Sequence, residues 1–121
     1  MKKLGTVDVC GAPWLVCEGT KDDLSDLSDA HGCCDEDQTT IWLHENQPKT
    51  RREDTLMHEY LHAILVTSGF QTTSIALIGR PADDPVISNL DELAVRILTP
   101  HLLKAFGPPK IKKCPSSTKT S

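Results

Sequence analysis

The sequence predicts a single α+β domain, with strands up to His44 and two long helices after it. Three observations favour this fold class. Short β-branched and aromatic runs, separated by turn residues, occupy the N-terminal part. Apolar residues recur at helical spacing over residues 50–68 and again after Ser88. With 121 residues and 38% apolar content, the chain can bury one modest core and is too short for two.

The first two strands are predicted within residues 7–18, on either side of a turn at Gly11, Ala12 and Pro13. Their inward positions are expected to be Val7, Val9, Trp14 and Val16. Residues 39–44 form another compact β-favouring run, which predicts a strand with Trp42 in the core.

The acidic stretch between these strands is predicted to be mostly irregular. Residues 22–30 have Leu24 and Leu27 at helical spacing, which indicates a short amphipathic helix. The adjacent Cys33 and Cys34 are predicted to be reduced thiols in a loop. Residues 35–37 are predicted to form a solvated turn.

The clearest helix is predicted over residues 50–68. Thr50 and Glu53 have the spacing of a capping box at its start. Gly69 follows the last apolar residue of the periodic run and can take the left-handed conformation that ends a helix. Both ends of the helix are therefore marked by the sequence.

A second helix is predicted after a long connection over residues 71–89. Ser88 and Asp91 repeat the capping-box spacing at its start. Pro100 is expected to kink it, and Gly107 to end it. Residues 1–107 are accordingly predicted to be one domain, and residues 108–121 a disordered basic tail.

The residues His58-Glu59-Tyr60-Leu61-His62 form an H-E-x-x-H motif inside the first predicted helix. Four residues advance a helix by about 400°, so His58 and His62 lie one turn apart on one face and can reach the same cation. Glu59 lies about 100° away, within reach of a water on that cation. Neutral imidazoles suit zinc, so the motif predicts a Zn²⁺ site with Glu59 as the catalytic residue.

A catalytic zinc site needs a third protein ligand. The extended motif H-E-x-x-H-x-x-G-x-x-H is absent, because Leu65 and Ser68 stand where its glycine and third histidine would be. The third ligand must then come from further along the chain. The candidates are Asp83, Asp84, Asp91, Glu92 and His101.

Among these candidates Glu92 is preferred, followed by Asp91 and then His101. Asp91 is expected to be occupied in the capping box with Ser88. His101 lies about 180° around the helix and beyond the proline. The alternative for Glu92 is an ordinary surface pair with Arg96, four residues later.

These ligands predict peptide-bond hydrolysis. Glu59 is expected to take a proton from the attacking water and to pass it to the leaving amine. The sequence therefore predicts a zinc metalloendopeptidase that acts on a protein or peptide substrate. The substrate is expected to lie along the strand of residues 39–44 by β-addition. The alternative is a zinc-stabilised, non-catalytic module that sequesters a protein partner through the acidic surface of residues 22–37.

The charge distribution argues against nucleic-acid binding by the folded body. Eight basic and all 17 acidic residues precede Lys104, so this part carries a net charge of -9, whereas five lysines lie from Lys104 onward. A body this negative repels phosphate. No apolar stretch is long enough for a signal peptide or a membrane span, and the five cysteines have no repeated spacing. We therefore expect a cytoplasmic protein with reduced thiols.

Three segments carry a resemblance to a known family: TIWL at residues 40–43, TLMHEYLHAI at 55–64 and DELAVRIL at 91–98. Their order resembles the small phage- and prophage-encoded members of the ImmA/IrrE-type metallopeptidases, over about residues 5–106. The resemblance implies a zincin-like, gluzincin-like fold: a small, mostly antiparallel sheet packed on the H-E-x-x-H helix, and a C-terminal helix with the third ligand. It also implies that His58, His62 and a downstream acid hold zinc, that Glu59 is the base, and that a regulatory protein is the substrate.

Overall fold

The computed structural model describes residues 1–20, 22–24, 31–69 and 85–113. In this part of the chain the elements are β1 (Lys2–Val9), β2 (Ala12–Gly19), β3 (Gly32–Asp35), β4 (Thr40–His44), α1 (Lys49–Ser68) and α2 (Pro85–Phe106). The predicted α+β class is confirmed. Within the same ranges, neither α1 nor α2 offers an apolar stretch that would span a lipid bilayer.

The strands β1 and β2 form the predicted antiparallel hairpin. Val9 pairs with Ala12, so the turn consists of Cys10 and Gly11 rather than residues 11–13. Both turn residues have positive φ, 51° and 89°. This is typical of the type I′ turn, whose twist matches that of the flanking strands. The four positions predicted to face inward are buried: Val7, Val9, Trp14 and Val16.

The strand β4 lies in the interior of the sheet, whose order is β1-β2-β4-β3. It pairs in parallel with β2 on one side and antiparallel with β3 on the other. The sheet is therefore mixed, with two antiparallel pairings and one parallel pairing among the described strands. Because both edges of β4 are already paired, the predicted β-addition of a substrate along residues 39–44 is wrong.

The strand β3 is absent from the sequence-based prediction, which placed Cys33 and Cys34 in a loop. In the structure they pair with Trp42 and Ile41 of β4, and their side chains point to opposite faces of the sheet. Asp35, predicted to lie in a turn, is the last residue of the strand. The prediction failed because these four residues include no β-branched side chain and no apolar alternation.

The main core lies between the sheet and α1. Val16, Ile41 and Leu43 are fully buried on the face of the sheet where they meet Leu56 and Ala63 of α1. A smaller apolar cluster covers the opposite face. An interior strand with both faces covered is buried on both sides, which accounts for the burial of the first four residues of β4, Thr40 to Leu43.

The helix α1 ends as predicted but begins differently. Gly69 has φ 79° in the left-handed region, and its N–H donates to main-chain carbonyls of the last turn. The predicted capping box is wrong, because Thr50 lies inside the helix and Pro48 is the N-cap, without a side-chain capping bond. The Pro48 carbonyl instead accepts from the N–H of Arg52 at 2.9 Å and closes the first turn.

The helix α2 begins at Pro85, three residues before the predicted start. Proline is favoured in the first turn of a helix, where its missing N–H is not needed. The predicted capping box of Ser88 and Asp91 is therefore wrong, since both residues lie inside the helix. Pro100 is accommodated without interrupting α2. The end at Gly107, with φ 77°, is confirmed.

The segment after α2, predicted to be a disordered tail, is described as far as Lys113. Lys112 and Thr6 of β1 exchange two main-chain hydrogen bonds of 2.7 and 2.8 Å, and Ile111 packs against the main core. Gly5 permits this contact, because a Cβ there would lie 2.3 Å from the Lys112 carbonyl oxygen. Residues 114–121 lie outside the described ranges.

Two other predictions also fall wholly or largely outside the described residues. These are the short helix over residues 22–30, of which only 22–24 are described, and the long connection, of which residues 70–84 are not described. The candidate ligands Asp83 and Asp84 belong to the second of these segments.

The close approach of β3 to α1 requires glycine at position 32. A Cβ on Gly32 would lie 2.6 Å from Cγ2 of Thr55 and 2.7 Å from the main-chain oxygen of Trp42. We expect the G32A variant to lose about 1–3 kcal/mol of stability through overpacking, measured by urea unfolding. The control is G19A, whose Cβ would meet side-chain atoms of Asp23 and Trp42 at 3.0 Å or more and no main-chain atom among its nearest neighbours, so it should lose less stability. An equal loss in G19A would contradict this explanation.

Candidate metal centre

The two histidines of the motif lie side by side on α1. His58 and His62 are one helical turn apart, with ring centroids separated by 4.9 Å and ring planes inclined by 64°. Their side chains are 25% and 18% exposed. Both rings therefore reach the surface of α1 that faces α2, while remaining partly shielded from solvent.

The helix α2 brings Glu92 to this pair. Its Oε1 lies 3.2 Å from Nε2 of His58, and its Oε2 lies 3.0 Å from Nε2 of His62. The two helices are held together by an apolar cluster of Met57, Leu61 and Val95, all buried. The sequence-predicted ligand set His58, His62 and Glu92 is thus brought together in space.

The donor atoms of these three residues could hold one metal ion. One ligand atom from each side chain lies within 4.8 Å of the other two. Around a tetrahedral zinc ion, with ligand distances of about 2.0–2.1 Å, neighbouring ligand atoms are separated by about 3.3 Å. The contacts of 3.2 and 3.0 Å between Glu92 and the two imidazole nitrogens are made by different carboxylate oxygens, Oε1 and Oε2. The chemistry of the three side chains suits a divalent ion, and their ligand atoms are close enough to share one.

The structure also distinguishes Glu92 from the two alternative third ligands that it describes, Asp91 and His101. Asp91 lies on the other side of His62, with Oδ2 3.4 Å from Nδ1. His101 is exposed and does not belong to the metal-capable group. The alternative role of Glu92 is present at the same time, because Arg96 Nε donates to Oε1 at 3.0 Å. Oε1 of Glu92 is thus shared between His58 and solvent-exposed Arg96, whereas Oε2 contacts His62.

Glu59 lies behind the histidines, where β3 crosses α1. The residue is 9% exposed, and its Cγ lies 3.3 Å from the position that a Cβ on Gly32 would occupy. Burial raises the pKa of Glu59 to about 7, with an opposing contribution from His62 and a further increase from the charge of Glu92. A carboxyl group with this pKa can both accept and donate a proton near neutral pH.

Burial alone would shift the pKa values of His58 and Glu92 in opposite directions, but both pKa values lie below their ordinary values. Burial lowers the pKa of His58, although the negative charge of Glu92 acts in the other direction. For Glu92 itself, burial opposes ionisation, but the hydrogen bond from Arg96 and the nearby His58 and His62 together lower its pKa. A neutral imidazole beside an ionised carboxylate is the protonation pattern that a metal ion requires.

The histidines open into a cleft between α1, α2 and β3. Two adjoining cavities of about 410 and 300 Å³ share His58, Glu59, Glu92 and Gly32. The larger cavity continues along Cys34. A ligand in this cleft would therefore contact β3 as well as the candidate metal ligands.

The sequence-based analysis missed the residues that β3 contributes to the cleft. Gly32 and Cys34 line the larger cavity, and His31, just before the strand, lines the smaller one. Arg51 NH1 lies 2.7 Å from Nε2 of His31, which must accept because arginine is only a donor. No local signal identified these residues, because their position depends on the pairing of β3 with β4.

Comparisons with known proteins leave the interpretation dependent on the site itself. No protein-family model, curated protein or solved structure matches the chain. The resemblance to the ImmA/IrrE-type metallopeptidases therefore stays a prediction.

The raised pKa of Glu59 predicts a pH-dependent stability of the metal-free protein. A group with a pKa of about 7 in the folded chain and 4.5 in the unfolded chain holds its proton more tightly when folded. Its contribution is full below about pH 4.5 and is lost as the pH rises through about 7. We expect the wild type to lose stability relative to E59Q between about pH 5 and pH 8, measured by urea unfolding with a chelator present.

The control for this measurement is E53Q, the same chemical change elsewhere on α1. The stability of E53Q should follow that of the wild type across the pH range. If wild type and E59Q changed in parallel, burial would not be acting on the Glu59 carboxyl as described.

Proposed function

We propose that the protein is a zinc-dependent metallopeptidase that hydrolyses a peptide bond, with Glu59 as the general base. One observation carries this proposal. The two imidazoles of the H-E-x-x-H motif and the carboxylate of Glu92 converge within 4.8 Å, with Glu59 buried beside them at the wall of a cleft. Two histidines, one carboxylate and an adjacent acid are the components of one class of catalytic zinc site.

In this proposal His58, His62 and Glu92 hold the metal. Zinc bound there would supply a Lewis acid that lowers the pKa of a water and polarises a carbonyl. The rigid support of both helices keeps the three side chains in place. Arg96 also contributes, since its bond to Oε1 restricts the rotation of the Glu92 carboxylate.

Glu59 performs the proton transfers. Its carboxylate removes a proton from the attacking water and returns that proton to the nitrogen of the leaving amine. The environment suits both steps, because burial brings the pKa of Glu59 to about 7. The same burial keeps bulk water away from the carboxyl group, so the proton remains available for the leaving group.

The substrate is expected to bind beside β3, the edge strand that borders the cleft. The N–H of His44 donates to the carbonyl of His31, so these residues form a hydrogen-bonded pair. Bonded pairs alternate along an antiparallel ladder, so Cys33 also faces β4 while Gly32 and Cys34 direct their main-chain groups outward. An extended peptide adding to this edge would pass the histidines.

The order of motifs supports assignment to an ImmA/IrrE-type metallopeptidase. In the described chain the strand of residues 40–43 packs on the H-E-x-x-H helix in the core, and the helix with Glu92 brings its carboxylate to the two histidines. The zincin-like packing of sheet, active-site helix and C-terminal helix belongs to this proposal. By the same resemblance, the proposed substrate is a regulatory protein.

Zinc binding is the first test. Purified wild type should hold about one zinc ion per chain, and H58A and E92A should lose most of it. Zinc at about 100 times its dissociation constant should stabilise the wild type by about 2.7 kcal/mol, and a chelator should remove this increment. Metal analysis and thermal unfolding measure the two effects.

The matched control for the zinc measurement is H101A, which removes a histidine from α2 outside the group of ligands. H101A should retain zinc. Equal zinc content in wild type and H58A would contradict the metal centre.

Catalysis is tested with E59Q and a mixture of synthetic peptides, whose cleavage is followed by mass spectrometry. We expect the zinc-loaded wild type to cleave and E59Q to be slower by about 10²–10⁴-fold, with unchanged zinc content, because the variant lacks the proton acceptor. The control E53Q should cleave at the wild-type rate. Zinc bound without cleavage in the wild type would favour the non-catalytic binding module.

A further inference from the structure

We propose that Asp91 is a positioning residue that accepts the Nδ1 proton of His62 and so keeps Nε2 of that ring available to a metal ion. The inference rests on the proposed metal centre and extends it to a residue outside the ligand set. It assigns to Asp91 a role that replaces the capping function expected from the sequence.

The geometry places two consecutive residues of α2 on either side of one imidazole. Oδ2 of Asp91 lies 3.4 Å from Nδ1 of His62, within ion-pair distance, and Oε2 of Glu92 lies 3.0 Å from Nε2, within hydrogen-bond distance. Consecutive helical side chains diverge by about 100°, which allows them to reach around the ring. The His62 side chain is only 18% exposed, so Asp91 meets Nδ1 in a region with limited access for water.

The second oxygen of Asp91 has no partner. Oδ1 is buried and has no hydrogen-bond partner in the described part of the chain. A buried carboxylate oxygen without a partner costs stability. The position is thus poorly suited to a purely structural acid, and within the described chain its carboxylate contacts His62.

The consequence for His62 follows from the donors and acceptors available. A neutral imidazole carries one N–H, and an ionised carboxylate can only accept. In the metal-free chain Nε2 of His62 is the donor in its 3.0 Å hydrogen bond to Oε2 of Glu92, because a carboxylate can only accept. A metal ion on Nε2 would replace that proton, and Asp91 would then favour the tautomer that keeps the other proton on Nδ1. Carboxylates behind metal-binding histidines act in this way, and their removal typically weakens metal binding by about 10–100-fold.

The test compares zinc affinities of D91A and D91N with wild type, by competition with a chromophoric chelator. D91A should bind zinc about 10–100-fold more weakly. D91N should lose less, because its amide oxygen can still accept from Nδ1. The control D54N removes an exposed acid whose charge acts on His58, and its affinity should change by less than about fivefold.

A second readout separates positioning from a structural role. In zinc-loaded protein, a hydrogen-bonded Nδ1 proton of His62 exchanges slowly with water and should give an observable NMR resonance, which D91A should lose while it remains folded. Unchanged zinc affinity in D91A, or a D91A effect no larger than that of D54N, would overturn the role of Asp91 and leave the metal centre intact. Absence of zinc binding by the wild type would overturn both.

Discussion

The position of α1 between the sheet and α2 is the constraint on which the rest of the structure depends. One side of the helix packs against the sheet through Leu56 and Ala63, while Met57 and Leu61 pack against α2 around Val95. The H-E-x-x-H residues lie along the boundary between these two apolar surfaces. Because the helix is held from both sides, its polar residues are fixed in the direction of β3 and α2. Core packing therefore sets the spacing of the candidate ligands. The polar contacts among them form within that fixed arrangement.

The cleft concentrates ionisable groups where the protein is least able to solvate them. Burial acts against the charged form of both His58 and Glu59. Arg96 compensates in part, because it stabilises the ionised carboxylate of Glu92 from the solvent side. Such an arrangement contributes little to stability, since desolvation offsets much of the electrostatic attraction between partly buried charges. A cation shared by the two histidines and Glu92 would reverse this balance, which is the physical reason for interpreting the cluster as a binding site.

The sequence predicts α1 well because its signals are local: apolar periodicity, two histidines at a four-residue spacing and a terminating Gly69. Its start is predicted less well, since Thr50 has the right residue type for a cap while Pro48 determines where the helix begins. Glu92 lies beside the two histidines, where the sequence led us to expect it, and its role as a ligand stays a prediction. The capping role that placed Asp91 second to it is wrong, because the helix already begins at Pro85. The edge strand β3 lies beyond local prediction, since its conformation depends on pairing with a strand that follows it in the chain. The residues that one helix contributes to the site can thus be predicted from the sequence, whereas the residues that β3 contributes to the cleft cannot.

The two edge strands of the sheet, β1 and β3, differ in the main-chain pairing along their outer sides. At β1, Thr6 exchanges main-chain hydrogen bonds with Lys112, so part of that border is occupied by the protein's own later residues. At β3, no described residue pairs along the outer side. An unpaired strand border is a template on which another polypeptide can extend the sheet. Among the described residues, the chain therefore occupies part of the border remote from the histidines, and a polypeptide adding there would have to displace the segment around Lys112.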